Sequence, residues 1–80
     1  MNDLLENLDR LHTTELGVVR IKRNLGLDFD SVVDWCKQRI EAPDCTVTRA
    51  GKNWYANVGG VQITVNAHNY TIITAHKLKY

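Results

Sequence analysis

Three histidines are the candidates in this sequence for acid–base catalysis, and Lys52 is a candidate cation beside them. Metal-independent cleavage of RNA needs a base for the 2′-hydroxyl proton, an acid for the leaving oxygen and a cation near the phosphorus. Histidine titrates near neutral pH and can fill either proton-transfer role. No carboxylate follows position 44, so the sequence predicts His12, His68 or His76 as acid and base. Lys52 or Arg49 would be the electrostatic partner, and the alternative for each histidine is a structural position in a turn or sheet.

The charges are divided unevenly along the chain. All nine Asp and Glu residues lie within residues 1–44, whereas four of the ten Lys and Arg residues follow. The first part therefore carries −3 (six basic minus nine acidic residues) and the second part +4. Such a split indicates a surface for an anionic partner. The alternative explanation is that strands disfavour Asp and Glu whatever they bind.

A second set of residues is of the kinds that contact nucleic acid. Arg20 and Arg23 are three positions apart in a predicted helix and so share one side of it. Lys52 lies close to Tyr55, and basic residues near an exposed aromatic ring recognise single-stranded nucleic acid. With outward-facing strand residues added, the candidate RNA-binding set is Arg20, Arg23, Arg49, Tyr55, Asn66, Tyr70, Thr74 and Lys77. The alternatives are solvated arginines and a sheet face that simply meets water.

Three helices must position the first part of the chain, because its apolar residues recur with a helical period. The first is predicted over residues 3–11. The second is predicted to have its N-cap at Thr13 or Thr14 and to end at Gly26. The third is predicted to have its N-cap at Asp28 or Asp30 and to end at Pro43. The apolar side of the second helix is assigned to Leu16, Val18, Val19, Ile21 and Leu25, and that of the third helix to Phe29, Val33, Cys36 and Ile40.

After Pro43 the pattern alternates, as in strands. The segments "CTVTRA", "WYANV", "VQITVN" and "YTIITAHK" are separated by short turns. The predicted fold is α+β, with three N-terminal helices packed on one face of a four-stranded antiparallel β-meander. One domain is expected over 1–80, helical in 1–43 and sheet in 44–80. Val61, Ile63 and Val65 face the core, as do Ile73 and Ala75, whereas Tyr70, Thr74 and His76 face outward.

Several classes of protein are disfavoured by what the sequence contains. No run of 18 apolar residues is present, and the acidic start "MNDLLENLDR" is unlike a secretory signal, so a cytoplasmic protein without membrane contact is expected. Cys36 and Cys45 are then expected to be reduced thiols. Zinc-ligand spacings and glycine-rich nucleotide motifs do not occur. We therefore expect no metal and no cofactor.

Three stretches, "LHTTELGVVRIKRNL", "GKNWY" and "NAHNYTIITAHK", resemble the signature stretches of a family of short bacterial proteins catalogued as a domain of unknown function. The similarity spans nearly the whole chain and implies a complete bacterial protein, without implying any chemistry. A looser likeness, in topology and the last strand, is to compact ribonuclease toxins of the barnase, colicin and RelE type. That likeness implies a toxin-type endoribonuclease.

The leading hypothesis is a small cytoplasmic bacterial protein, monomer or homodimer, that binds RNA through a polar, acid-free sheet face and could cleave it. The alternative is a non-catalytic protein-binding module, such as an inhibitor or a phage–host interaction factor. A third hypothesis is a homodimer that uses an exposed sheet edge. Histidines gathered with Lys52 in one cleft would favour the enzyme. Scattered histidines and an exposed apolar patch would favour the binding module.

Overall fold

The computed structural model describes residues 3–78. Three helices come first: α1 (Asp3–Glu6), α2 (Glu15–Leu25) and α3 (Val32–Glu41), with a 3-10 turn at Leu8–Arg10 between α1 and α2. Four strands follow: β1 (Thr46–Ala50), β2 (Asn53–Val58), β3 (Val61–Asn66) and β4 (Ile72–Lys77). The predicted α+β class and the order of helices before strands are confirmed.

The single helix predicted over residues 3–11 is wrong, because α1 ends after one turn. The backbone of Asn7 leaves the helical region (φ −126°, ψ 30°), and its N–H donates only three residues back, to the Leu4 carbonyl. The Asn7 side chain donates to the Asp3 carbonyl at 2.8 Å. Asparagine competes in this way with helical hydrogen bonds, and so short a segment has little helical stability of its own. Leu4 is nevertheless fully buried.

α2 begins and ends where the sequence predicts. Thr14 is its N-cap, and the Thr14 hydroxyl accepts a hydrogen bond from the N–H of Gly17 at 3.0 Å. At the other end Gly26 adopts the left-handed conformation (φ 67°) that favours glycine. Gly17 is buried, and the Thr13 hydroxyl occupies the space where a Cβ would lie. The glycine thus permits a close approach between α2 and the residue that precedes its cap.

α3 begins later than predicted, and this corrects part of the predicted core. Its N-cap is Ser31 rather than Asp28 or Asp30, and the helix starts at Val32. The buried residues are therefore Val32, Cys36 and Ile40, one helical side at i, i+4 and i+8. Phe29 precedes the helix and is 38% exposed, so its assignment to the core is wrong, and Val33 is only half-buried. Asp30 instead pairs with Lys22 of α2 at 2.6 Å.

The sheet is an antiparallel meander with the strand order β1-β2-β3-β4. Two-residue turns join β1 to β2, at Gly51 and Lys52, and β2 to β3, at Gly59 and Gly60. Both residues of the second turn have positive φ (54° and 77°), which glycine adopts without strain and which matches the twist of a tight hairpin. Short connections of this kind require neighbouring antiparallel strands.

β4 contains an irregularity that the strict alternation in the sequence does not predict. Thr64 pairs with Thr74, but its neighbour Val65 pairs with Ile72, so Ile73 is an extra residue in β4. The bulge turns both Ile72 and Ala75 toward the core. The predicted inward parity is therefore right for Ala75 and wrong for Ile73, which is only half-buried.

Tyr70 is a second correction, since it was expected to face outward. It precedes β4 with φ 60° and is only 8% exposed. Its ring lies 5.4 Å from that of Trp54, and the guanidinium of Arg10 lies 4.5 Å from the Tyr70 ring centroid. The left-handed backbone at Tyr70 ends the regular strand pattern, so the parity of the residues that follow does not extend back to it.

Helices and strands contribute to one hydrophobic cluster. α2 contacts β4 and α3 contacts β2. The cluster contains buried residues of the three helices, of strands β2 to β4 and of the segments before α2 and β4: Leu4, Leu11, Ile21, Leu25, Val32, Cys36, Ile40, Trp54, Ala56, Ile63, Val65, Tyr70, Ile72 and Ala75. The core placement predicted for Ile63 and Val65 is confirmed, whereas Val61 is half-buried at the end of β3.

The two edges of the sheet differ. The edge formed by β4 is covered: the N–H of Ile72 donates to the His12 carbonyl at 2.7 Å, and the Thr13 hydroxyl donates to the Ile72 carbonyl at 2.8 Å. Asn24 of α2 also donates to the Ala75 carbonyl at 3.3 Å. β1 forms the other edge and is exposed along most of its length. An edge strand with covered backbone groups is protected from pairing with other chains, which leaves β1 as the open edge.

Candidate functional site

Two rows of polar side chains cross the sheet on the side opposite the buried residues. One row is Thr48, Tyr55, Thr64 and Thr74, and the other is Thr46, Asn57, Gln62 and His76. We call these eight residues the polar sheet face. All except Thr64 are half-buried or exposed, and the face contains neither a carboxylate nor a lysine or arginine. It is a neutral surface of hydroxyl and amide groups with one aromatic ring and one histidine.

Hydrogen bonds hold several members of the polar sheet face in place. The Gln62 amide donates to the Asn57 side-chain oxygen at 3.1 Å, and Asn53 donates to the Tyr55 hydroxyl at 3.5 Å. The Asn24 amide of α2 lies 3.3 Å from the Thr74 hydroxyl, so α2 borders the face at β4. The Tyr55 ring is therefore half-exposed on an ordered surface, where it could stack on a base or on a partner's side chain.

The basic residues predicted to neutralise phosphate lie around the polar sheet face and not on it. Arg49 pairs with Trp54, so it shares the opposite parity, and its guanidinium lies 5.4 Å from the Trp54 ring while donating to the Gly51 carbonyl. Lys77 pairs with Val61, also off the face. Lys52 is exposed at the tip of the first hairpin. Another basic residue of the second half, Lys79, lies outside the described residues.

His12 is held by hydrogen bonds at both ring nitrogens. Nδ1 lies 3.0 Å from the Arg10 carbonyl, which can only accept, so Nδ1 carries the proton. Nε2 lies 3.0 Å from the Thr71 hydroxyl. The backbone of His12 also forms an isolated parallel bridge with Thr71. His12 thus connects the segment before α2 to the segment before β4, a structural arrangement that occupies both of its acid–base positions.

His68 and Asn66 belong to the turn between β3 and β4. The Asn66 side-chain oxygen accepts from the N–H groups of His68 (2.8 Å) and Asn69 (3.1 Å). This use of asparagine to satisfy turn backbone is a common one. The N–H of Ala67 donates to the Lys52 carbonyl at 2.8 Å, so the turn meets the tip of the first hairpin. The structure therefore brings His68 and Lys52 to the same end of the sheet, and Asn66 is engaged by the turn.

His76 lies at the opposite end of the sheet, because it pairs with Gln62. Gln62 and Asn66 are four positions apart in β3, which corresponds to roughly 14 Å along an extended strand. An acid and a base that act on one phosphodiester must both reach it by hydrogen bonds. The four predicted catalytic residues are thus not gathered in one cleft: His76 is separate, and His12 is bonded at both nitrogens.

The exposed side of α2 carries apolar side chains that the sequence analysis had assigned to the core side of the helix. Leu16 is 75% exposed and Val19 51% exposed, so their assignment to the apolar side of the helix is wrong. With Arg20, Arg23 and Asn24 they line a hollow of about 260 Å³. We call Leu16, Val19, Arg20 and Arg23 the α2 outer patch. A signal was available, since only Gly17, Ile21 and Leu25 fit an i, i+4, i+8 stripe and the other apolar residues lie off it.

A second hollow of about 270 Å³ lies at the start of α3. Phe29 and Trp35 supply aromatic walls, and Ser31, Asp34 and Gln38 complete its lining. Asp34 is exposed, and Asp28 is exposed in the loop that precedes the helix. The guanidinium of Arg39 lies 5.0 Å from the Trp35 ring centroid. We call this the α3 hollow, an aromatic depression with carboxylates beside it.

The titratable groups with shifted pKa values lie outside the polar sheet face. Burial raises the pKa of the Cys36 thiol to about 12. Partial burial, and to a lesser extent the charge of Asp44, raises the pKa of Cys45. The hydrogen bond from Lys22, followed by its charge, lowers the pKa of Asp30. Both cysteines are free thiols, and raised pKa values make poor nucleophiles of them at neutral pH.

Two further findings concern residues 3–78. No group of three or more His, Cys, Asp or Glu side chains in this part of the chain is arranged to hold a metal ion. None of its helices combines the length and the apolar character needed to span a membrane.

The molecule is a small α+β protein with a helical first part, an antiparallel meander and two exposed surfaces of different chemistry. Its sequence belongs to the family described as "Protein of unknown function (DUF3781)", whose model matches residues 5–76. The predicted membership of an uncharacterised family is therefore confirmed. The chain has no match among the curated proteins and none among the solved structures.

Proposed function

We propose that this protein is a non-catalytic protein-binding module whose contact surface is the α2 outer patch. The exposure of Leu16 and Val19 beside two arginines carries the proposal. Exposed apolar side chains that adjoin one another mark interaction sites on soluble proteins, and arginine is enriched at protein interfaces. The helix needs neither residue for its core contacts, since Ile21 and Leu25 supply them.

The proposal contains no catalytic step, and the placement of the histidines supports that choice. His76 pairs with Gln62, which lies roughly 14 Å along β3 from Asn66. His12 is engaged at both ring nitrogens. We further propose that the three helices cover the apolar face of the sheet, which leaves the polar sheet face and the outer side of α2 to solvent. A cytoplasmic location belongs to the same proposal and is favoured by the two free thiols.

Photo-crosslinking in living bacteria tests this function. A benzophenone amino acid replaces Val19 in one variant and Glu41, exposed at the end of α3, in a matched control. We expect a discrete protein adduct from position 19 and not from position 41, and its loss when Leu16→Glu is added. Leu16 is largely exposed, so this change should leave the fold intact, which circular dichroism checks. Equal labelling from both positions would contradict the proposal.

RNA binding by the polar sheet face is the second candidate. It is favoured by a surface of eight polar residues that contains no carboxylate and presents Tyr55 at its centre. The scarcity of cations on the face weighs against it, because phosphate contacts supply most of the affinity for nucleic acid. Binding would therefore depend on stacking at Tyr55 and on cations at the margin, such as Lys52.

Titration of a fluorescent single-stranded RNA at several salt concentrations tests the second candidate. Tyr55→Ala should lose about 1–3 kcal/mol of binding free energy with little change in salt dependence. Lys52→Ala should reduce the slope of log K against log salt by about 0.7, the value for one neutralised phosphate. If His76 acted as acid or base after all, His76→Ala would slow cleavage by about 10²–10⁴ while binding persisted. Undetectable binding at low salt would remove RNA from consideration.

A further inference from the structure

The α2 outer patch and the α3 hollow are complementary in charge. The patch presents Leu16 and Val19 beside Arg20 and Arg23. The hollow has Phe29 and Trp35 as walls and Asp34 on its lining, and exposed Asp28 precedes Phe29 in the chain. One surface therefore offers aliphatic side chains and positive charge, and the other offers an aromatic recess and negative charge.

The charges of both surfaces remain available for a partner. Among residues 3–78 the ion pair between Lys22 and Asp30 is the one that forms, and it involves neither surface. Arg20, Arg23, Asp28 and Asp34 are all exposed. Opposite charges on facing surfaces steer association and set its register, and aliphatic or aromatic contacts at the centre supply affinity.

We propose that the α2 outer patch of one copy docks into the α3 hollow of a second copy, forming a homodimer. This inference rests on the proposed function, since it names the partner of the α2 outer patch. Leu16 enters the recess between Phe29 and Trp35, and the arginines face the aspartates of the other copy. Arg39 lies on the Trp35 ring at the margin of the recess, whereas Asp34 belongs to its lining.

A two-fold axis makes the contact reciprocal. Each copy carries one patch and one hollow, on consecutive helices joined by residues 26–31. In a closed dimer both contacts form at once, which doubles the interface and ends the assembly at two copies. A contact that was not reciprocal would leave one patch and one hollow free and would continue into chains.

The test is an exchange of charges between two variants. One variant carries Arg20→Glu and Arg23→Glu, and the other carries Asp28→Lys and Asp34→Lys. In each variant alone, both contacts of the dimer would place like charges together, so self-association should weaken by about 100-fold or more. In a mixture, the acidic patch meets the basic hollow and the basic patch meets the acidic hollow. Mixing should therefore restore a dimer of one copy of each.

Sedimentation equilibrium over micromolar to millimolar concentration measures these outcomes. Lys52→Glu with Lys77→Glu is the matched control: it also reverses two exposed cations, at sites outside both surfaces, and should dimerise like the parent. A parent that stays monomeric throughout would overturn the inference, as would a mixture that fails to associate. If the parent is monomeric while position 19 crosslinks to a different protein, the second copy is excluded and the binding function stands. Crosslinking between two copies from position 19 would support both.

Discussion

Replacement of Gly17 by alanine gives a sharp test of how α2 is attached to the sheet. In an ordinary helix interior the change stabilises by about 1 kcal/mol, because alanine has the higher helix propensity. Here the new Cβ would overlap the Thr13 hydroxyl, which donates to the Ile72 carbonyl at 2.8 Å across 59 residues of sequence. The methyl group can be accommodated only if the threonine side chain turns away.

The magnitude follows from what that movement removes. A half-buried carbonyl that loses its donor costs about 1–3 kcal/mol. Subtracting the gain in helix propensity of about 1 kcal/mol leaves Gly17→Ala destabilising by about 1 kcal/mol. For a domain of this length such a change lowers the melting temperature by about 4–8 °C. Thermal and urea unfolding followed by circular dichroism measure it.

A double-mutant cycle separates the proposed cause from general strain. Thr13→Ala alone should destabilise by about 1–2 kcal/mol, through loss of the same hydrogen bond. In that background the hydroxyl is gone, so Gly17→Ala should become neutral or stabilising by up to about 1 kcal/mol. The two changes should therefore couple by about 1–2 kcal/mol. Equal effects of Gly17→Ala with and without Thr13, or stabilisation of the parent by Gly17→Ala, would show that the Thr13 hydroxyl does not hinder the new methyl group.

Three further predictions concern the core, the thiols and the ion pair. Ile63 is fully buried, so Ile63→Ala should lower the free energy of unfolding by about 2–5 kcal/mol, and a variant that unfolds like the parent would contradict its placement. Burial should keep Cys36 from reacting with a disulfide reagent at pH 8 until the protein unfolds, while half-buried Cys45 reacts slowly. Because the folded pKa of Cys36 is raised to about 12, the free energy of unfolding should also fall as the pH rises from about 9 toward 12. Lys22 lowers the pKa of Asp30, so the pair's contribution to stability should be present above pH 3.8 and be lost as the pH falls through the lowered folded pKa. The melting temperatures of the parent and of Asp30→Asn, measured from pH 2 to 6, should differ at the higher pH values and converge in acid. A difference in melting temperature that is independent of pH would contradict the pairing.

Local sequence signals predicted the parts of the fold that depend on neighbouring residues. Thr14, Gly26 and the Gly59–Gly60 turn each act within a few positions, through a cap or a positive φ, and the structure has them where expected. The alternation in "VQITVN" likewise placed Ile63 and Val65 in the core.

The errors arose where distant contacts decide the local structure. The bulge at Ile73 reflects how β4 must meet both β3 and α2, which no alternation within one strand specifies. Asp30 is of a residue type that favours the N-cap position, yet it pairs with Lys22, and Ser31 is the N-cap of α3 instead. The prediction that Tyr70 faces outward was wrong because its backbone is left-handed, a conformation that is uncommon for tyrosine and that the sequence does not indicate.

The candidate site was harder to predict because the residues chosen for their chemistry are largely used by the fold. His12 joins two segments, Asn66 closes a turn and Arg49 lies over Trp54. These polar side chains form hydrogen bonds with nearby groups or lie over an aromatic ring, and most polar side chains in folded proteins are engaged in this way. Residue type alone does not distinguish this role from a functional one.

The fold leaves two exposed apolar side chains of α2 without a structural role. Leu16 and Val19 make an exposed apolar patch on a helix whose core side is complete without them, and folding alone would be served as well by lysine or glutamate at both positions. Asn24 bonds to Thr74 at the border between this patch and the polar sheet face, so the two surfaces meet along β4. A partner docked on α2 would therefore lie beside Thr74, and its size would determine how much of the polar sheet face stays open. For this reason the partner of α2 should be identified before any ligand is sought for the sheet.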